Sequence, residues 1–152
     1  MEKEAVMSDY RHLLLASDFS EGSAQVAQRA ADLAQRYQAR LSVVHVVDYL
    51  PVADSAYGPA IPFDPELTDQ LIDSARQRLA ALAEPLGVPE DARWVEIGSP
   101  KLEIVRVAEE KEVDLIVVGS HGKHGLQLLL GSTASGILHH ARCDVLAVRL
   151  TS

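Results

Sequence analysis

The chain has a single cysteine, Cys143, so no internal disulfide forms and a reducing compartment, the cytoplasm, is expected. It has no apolar run near the ~20 residues of a membrane span. Its opening, Met1-Glu2-Lys3-Glu4-Ala5-Val6-Met7, is charged and lacks the long apolar stretch of a signal peptide. Aromatic residues make up only 5%, which disfavours the stacking platforms that hold single-stranded nucleic acid. Basic residues are outnumbered, 14 Lys and Arg against 22 Asp and Glu, for a net charge of -8. That balance argues against a general nucleic-acid or anionic-membrane binder. An anionic small ligand stays compatible, because charges beyond a Debye length of ~8 Å are largely screened and local groups decide.

What is present is an ordinary globular composition, 47% apolar over 152 residues, enough for one domain burying roughly 70% of the unfolded surface. Residues 1–9 read as a loose extension, upstream of a second candidate start at Met7, and 10–152 as a single domain. Leu13–Ala16 is a short apolar strand. Val26, Ala27, Ala30, Leu33, Ala34 and Tyr37 form the stripe of an amphipathic helix over Ser23–Tyr37. Leu41–Val47 is a β-branched second strand. Residues 49–64, with Pro51, Pro59, Pro62 and Gly58, read as an irregular loop long enough for a lid or an interaction surface.

Asp64-Pro65 opens a helix reaching about Glu84, with Asp able to cap and Pro at the first position. Trp94–Ile97 alternates as a strand. Ser99-Pro100 starts a helix to about Lys111, strand 113–118 comes next, then a glycine loop, a helix over roughly 132–141 and a last strand Val145–Leu150. Strands and helices alternate throughout, which predicts an α/β fold: an open five-stranded parallel sheet covered on both faces by helices. Ligands in such sheets lie beyond the carboxyl ends of the strands, where strand order reverses. The loops after strands one and four are the natural neighbours there.

The glycine loop is the strongest functional signal. An apolar strand breaks into Gly119, Gly122 and Gly125, and Gly131-Ser132-Thr133 then precedes a helix. Glycines let backbone amides approach an anion closely, and a helix N-terminus adds orphan donors and partial positive charge. Enzyme signatures are missing. A P-loop would need Ser or Thr where His124 stands, and no dinucleotide fingerprint, Gly-x-Ser-x-Gly elbow or His-Glu-x-x-His occurs. No obvious general base lies near Gly119–Ser132 to orient a water. A non-enzyme is therefore expected, at most a slow ATPase or an autophosphorylating protein.

With these residues in view, the chain resembles the universal stress protein family from about Tyr10 to Leu150. The match rests on Ala16-Ser17-Asp18-Phe19-Ser20 after strand one, His45-Val46-Val47-Asp48 closing strand two, and Val117-Val118-Gly119-Ser120-His121-Gly122 with Gly131-Ser132. The resemblance implies an open sheet of order 3-2-1-4-5, of the adenine nucleotide alpha hydrolase-like kind, and homodimers paired through the last strand. The family contains both ATP binders and members that bind none. Carried over residue by residue, Asp18 would lie near the ribose or a phosphate-bound Mg or Mn. The Val46 backbone would meet the adenine edge, with Ala16 and Val118 against the base. Gly119 and Gly122 would allow close approach, and Gly131, Ser132 and Thr133 would donate to phosphates of ATP, ADP or AMP. Binders have nine residues between the second glycine and Gly-Ser; here eight, 123–130, intervene. In a helix such a deletion would rotate all downstream residues by ~100°, whereas an irregular loop with Gly125 absorbs it more cheaply.

The implied function is a cytoplasmic, stress-response, nucleotide-binding dimeric regulator with an unknown protein partner and no use of nucleic acid or membrane. The alternative is a family module that binds no nucleotide and acts by dimerisation and protein contacts. The last strand is an apolar sheet edge that invites pairing. Asp18 also suits a simple helix cap, and Ser132 reads as a helix N-cap, a role that does not conflict with binding phosphate. His121, His124, His139 and His140 lack the further ligands of a metal site. His45 reads as a hydrogen-bonded core histidine. Lys123, Tyr57 and Phe63 suit either ligand contact or plain loop roles.

Overall fold

The computed structural model describes residues 9–48, 65–120 and 130–150. Five parallel strands form one sheet in the order β3-β2-β1-β4-β5. They are β1 (His12–Ala16), β2 (Arg40–Val47), β3 (Arg93–Ile97), β4 (Leu115–Gly119) and β5 (Asp144–Val148). Among the described residues, four α-helices alternate with them: α1 (Ser23–Tyr37), α2 (Pro65–Ala83), α3 (Pro100–Glu110) and α4 (Ser132–His140). The expected fold class and strand order are therefore observed. The 49–64 loop, Tyr57, Phe63, Gly122 and its neighbours His121, Lys123, His124 and Gly125 lie outside the described residues.

Chain direction explains the layering. β1 to β2 to β3 steps one way across the sheet, and right-handed crossovers put α1 and α2 on the same face. β4 and β5 step the other way, so α3 and α4 cover the opposite face. Two apolar clusters result. Leu13, Leu15, Val43 and Val117 meet Val26, Ala27, Ala30 and Ala34 of α1 and Leu79 of α2. Leu14, Ala16, Val44, Ile116 and Val118 meet Ile104, Val107 and Ala108 of α3 and Ala134 and Ile137 of α4. Both faces are buried, which is why Leu13-Leu14-Leu15 reads as an unbroken apolar run. The small side chains Ala27, Ala30 and Ala34 let α1 lie close on the sheet.

Element ends obey local chemistry. Ser99 is the N-cap of α3 with Pro100 in the first turn, as its sequence predicts. The predicted cap at Ser132 shifts by one residue: Gly131 is the N-cap, extended at φ -64 and ψ 159, and Ser132 begins the helix. The Gly131 carbonyl accepts the first helical bond from the Ser135 amide at 2.9 Å. The last strand starts and ends earlier than Val145–Leu150, because Val148 is the final residue in register with β4, opposite Gly119. Cys143, just before β5, is half-buried, and burial pushes its thiol pKa up, with Asp144 and Asp114 adding to the effect. No helix among the described residues is long and apolar enough to cross a membrane.

Candidate functional site

Strand order reverses between β1 and β4, and the predicted residues that are described gather at the carboxyl ends of these strands. Ala16 ends β1, and the pairing of Leu15 with Val117 carries on to set Ala16 beside Val118. Val46 lies two residues beyond Val44, the partner of Ala16 on β2. Ala16, Val46 and Val118 are each 6% exposed and belong to the cluster under α3 and α4. At this end of the sheet the side chains of all three strands are thus packed beneath α3 and α4.

The turn after β1 is tightly built. The Ser17 amide donates to the Val44 carbonyl at 3.0 Å, and the Ser17 hydroxyl accepts from the Phe19 amide at 3.2 Å. Asp18 is exposed, and its Oδ1 accepts the Ser20 amide at 2.9 Å, an Asx turn rather than a helix cap, since Gly22 is the N-cap of α1. Phe19 occupies the left-handed region at φ 60. His45 fulfils the core-histidine expectation: half-buried, its Nδ1 lies 2.8 Å from the Ser17 carbonyl, so that nitrogen carries the proton and donates.

Across the switch point, Gly119 ends β4 and Ser120 acts as an anchor that the sequence alone did not assign. Its amide donates to the Val148 carbonyl at 2.8 Å, and its hydroxyl accepts the Leu150 amide at 3.3 Å. Its carbonyl accepts the Gly131 amide at 2.6 Å, closing the neck of the loop. The Gly131 amide is therefore engaged, not free. Because the first helical bond comes from Ser135, the amides of Ser132, Thr133 and Ala134 have no acceptor within α4. They are the donors that the helix leaves over, and the positive end of its dipole coincides with them.

Such groups offer an exposed carboxylate that could accept from hydroxyls or hold a cation, and helix amides that could donate to an anion. No cluster of three or more His, Cys, Asp or Glu among the described residues is arranged to hold a metal on its own. A cavity of about 940 Å³ opens at the opposite ends of the strands, lined by His12, Arg40, Ser42, Trp94 and Lys111 among others. It is remote from these groups. A buried histidine, His12, lies there with Nε2 2.7 Å from the Ser42 hydroxyl. Nothing in the local sequence marks His12, since its partners come from β2 and from the end of α3.

The sequence profile of the universal stress protein family matches residues 9–149. The chain belongs to the universal stress protein family. Among its relatives, Universal stress protein A homolog 1 of Coxiella burnetii is 44% identical over 141 residues, spanning 91% of this chain and 96% of that protein. Universal stress protein A homolog 2 of the same organism is 40% identical over 145 residues, spanning 95% and 98%. Among solved structures, the protein MJ0577 superposes with a TM-score of 0.77 at 27% identity, covering 94% of this chain and 98% of its own. The resemblance carried by Asp18, His45 and the Gly119–Ser132 segment thus extends to whole-chain agreement with the family.

Proposed function

We propose that this universal stress protein binds ATP or a related adenine nucleotide, ADP or AMP, and acts in the cytoplasm as a dimeric regulator rather than as an enzyme. The observation that carries the reading is that exposed Asp18 follows β1, and the start of α4, whose Ser132, Thr133 and Ala134 amides have no acceptor within the helix, is tied to the end of β4, where strand order reverses. In this reading the base lies against Ala16 and Val118 with its edge toward the Val46 backbone. Gly119 and Gly122 leave room for ribose and phosphates. The phosphates take the Ser132 and Thr133 amides, while Gly131 shapes the neck of the loop. Mg or Mn, where a triphosphate is bound, would be held by Asp18 together with the phosphates, neutralising their charge.

Calorimetry with ATP-Mg on nucleotide-free protein tests this. Saturable heat near one nucleotide per chain and a raised melting temperature are expected. No heat and no thermal shift at millimolar ATP would overturn the reading.

The dimer is assigned to β5, which pairs only with β4 and keeps its other edge open among the described residues. Open edges accept a further strand. Sedimentation should give twice the chain mass; a monomer at high concentration removes the dimer. The alternative, a module that uses dimerisation and protein contacts without nucleotide, is favoured by the commitment of the Gly131 amide to Ser120 and by the eight-residue spacing. Under that alternative, Ser132→Ala leaves stress survival intact.

A further inference from the structure

The exposed Asp18 carboxylate is flanked by two residues that are fixed far more firmly than a surface turn requires. On one side, the Ser17 carbonyl accepts a hydrogen bond from His45 Nδ1, its amide is bonded to β2, and its hydroxyl lies 3.4 Å from that of Ser23. On the other, Phe19 is held in a left-handed conformation that non-glycine residues, aromatic ones above all, seldom adopt. Its ring is layered between two groups. The His45 ring stacks on it with centroids 4.0 Å apart and planes 23° from parallel, and the Arg78 guanidinium of α2 lies 4.5 Å from the ring centroid. A stack of this kind offsets the unfavourable φ through ring contact and cation–π attraction.

The Phe19 ring also packs against the apolar cluster beneath α1 and α2, so its own place has a share in the core. Asp18 contributes nothing to the apolar clusters, and a glycine at 19 would reach the same backbone conformation without strain. What the frame does fix is the direction of the carboxylate, through the Asx bond from Ser20 to its Oδ1.

We infer that Phe19, His45 and Arg78 are positioning residues for nucleotide binding: the Arg78–Phe19–His45 stack aims Asp18 at the ribose hydroxyls or the phosphate-bound cation of the ligand. The inference rests on the nucleotide-binding reading above. It also means that α2, which comes after the 49–64 segment in the chain, shares a contact with the binding turn, so ligand and α2 sense one another through Phe19. Pre-setting the carboxylate removes an ordering cost that the ligand would otherwise meet on binding.

A double-mutant cycle read by calorimetry with ATP-Mg separates positioning from bulk stability. Asp18→Ala is expected to weaken binding about tenfold, as for loss of one charge-assisted contact. Phe19→Gly should weaken it by a similar factor, and the double variant should be no weaker than about tenfold, because Phe19 acts only through Asp18. Phe19→Tyr, which keeps the ring, should bind as the wild type does. Should Phe19→Gly fail to fold, Arg78→Ala on the exposed face of α2 takes its place. It should weaken binding by about two- to threefold, and have no effect in the Asp18→Ala background. Wild-type affinity in both Phe19→Gly and Arg78→Ala, or effects that multiply with Asp18→Ala, would overturn the inference while nucleotide binding stands. A wild-type protein that takes up no nucleotide would instead overturn the functional reading, and the inference with it.

Discussion

At the amino-terminal ends of the strands, Asp114 accepts the backbone amides of both Arg11 and His12, at 2.9 and 3.0 Å, and its own amide donates to the His12 carbonyl. The His12 ring completes the set, with Nε2 against the Ser42 hydroxyl and Nδ1 3.1 Å from the Lys111 carbonyl. At the carboxyl ends, Asp18 accepts one amide and α4 begins with three amides that no helical carbonyl meets. Among the described residues, one end pairs its polar groups internally, while the other leaves three amides outside any helical bond. Polar groups satisfied internally specify and stabilise a fold, whereas exposed ones left over are what a ligand can use.

The strongest way to break this contrast is Asp114→Ala, which strands the partly buried amide of His12 and frees the exposed one of Arg11. It should cost about 2 kcal/mol in urea unfolding while leaving nucleotide affinity of the folded fraction unchanged. The mirror experiment is Ser132→Pro. The preceding Gly131 already has the extended backbone that a proline in the next position demands, and the first helical position tolerates proline. Unfolding should therefore stay near wild type, while loss of one amide donor weakens ATP binding about tenfold by calorimetry. An unchanged affinity would place the phosphates elsewhere.

A smaller effect should appear with acid. Burial pushes the His12 pKa down from 6.5, with Arg40 adding to the shift. Below 6.5 the unfolded chain therefore binds a proton that the folded chain resists. Stability is complete above that value and falls as pH drops through it toward the lower folded pKa. Urea midpoints between neutral and mildly acidic pH should fall in the wild type and flatten in His12→Gln. The smallest signature belongs to Tyr10, whose hydroxyl donates to Asp144 at 2.7 Å beside the β5 edge. That bond, with burial and the Asp144 charge, pushes its pKa from 10.0 up to about 12. Its contribution is present below 10.0 and is lost as pH rises toward 12. Phenolate absorbance should show a last-ionising tyrosine that vanishes in Tyr10→Phe.

Much of the fold was legible because its signals are local. The apolar runs of β1, β2 and β4 mark a sheet covered on both sides, and the stripe from Val26 to Tyr37 delimits α1 at its observed ends. Ser99-Pro100 marks the start of α3 for the same reason: capping is decided within one turn. The candidate site was proposed from Asp18 and the spaced glycines, of which the described residues include Asp18, Gly119 and Gly131. Its fine structure was not legible. Whether the Gly131 amide is free depends on Ser120, eleven residues earlier in the chain, and the Phe19 frame depends on Arg78 of α2. His12 is enclosed by β2 and the end of α3, segments far from it in the chain. Contacts between distant segments leave no period and no spacing to read.

Cys143 bears on what a universal stress protein of this sequence can feel directly. Oxidants attack the thiolate, and a half-buried thiol with a raised pKa holds little of it at neutral pH. Peroxide therefore meets a sluggish target, and with no second sulfhydryl in the chain a sulfenic acid there would find no intramolecular resolving partner. A sulfenic acid formed at Cys143 would have to be resolved by a thiol from another molecule.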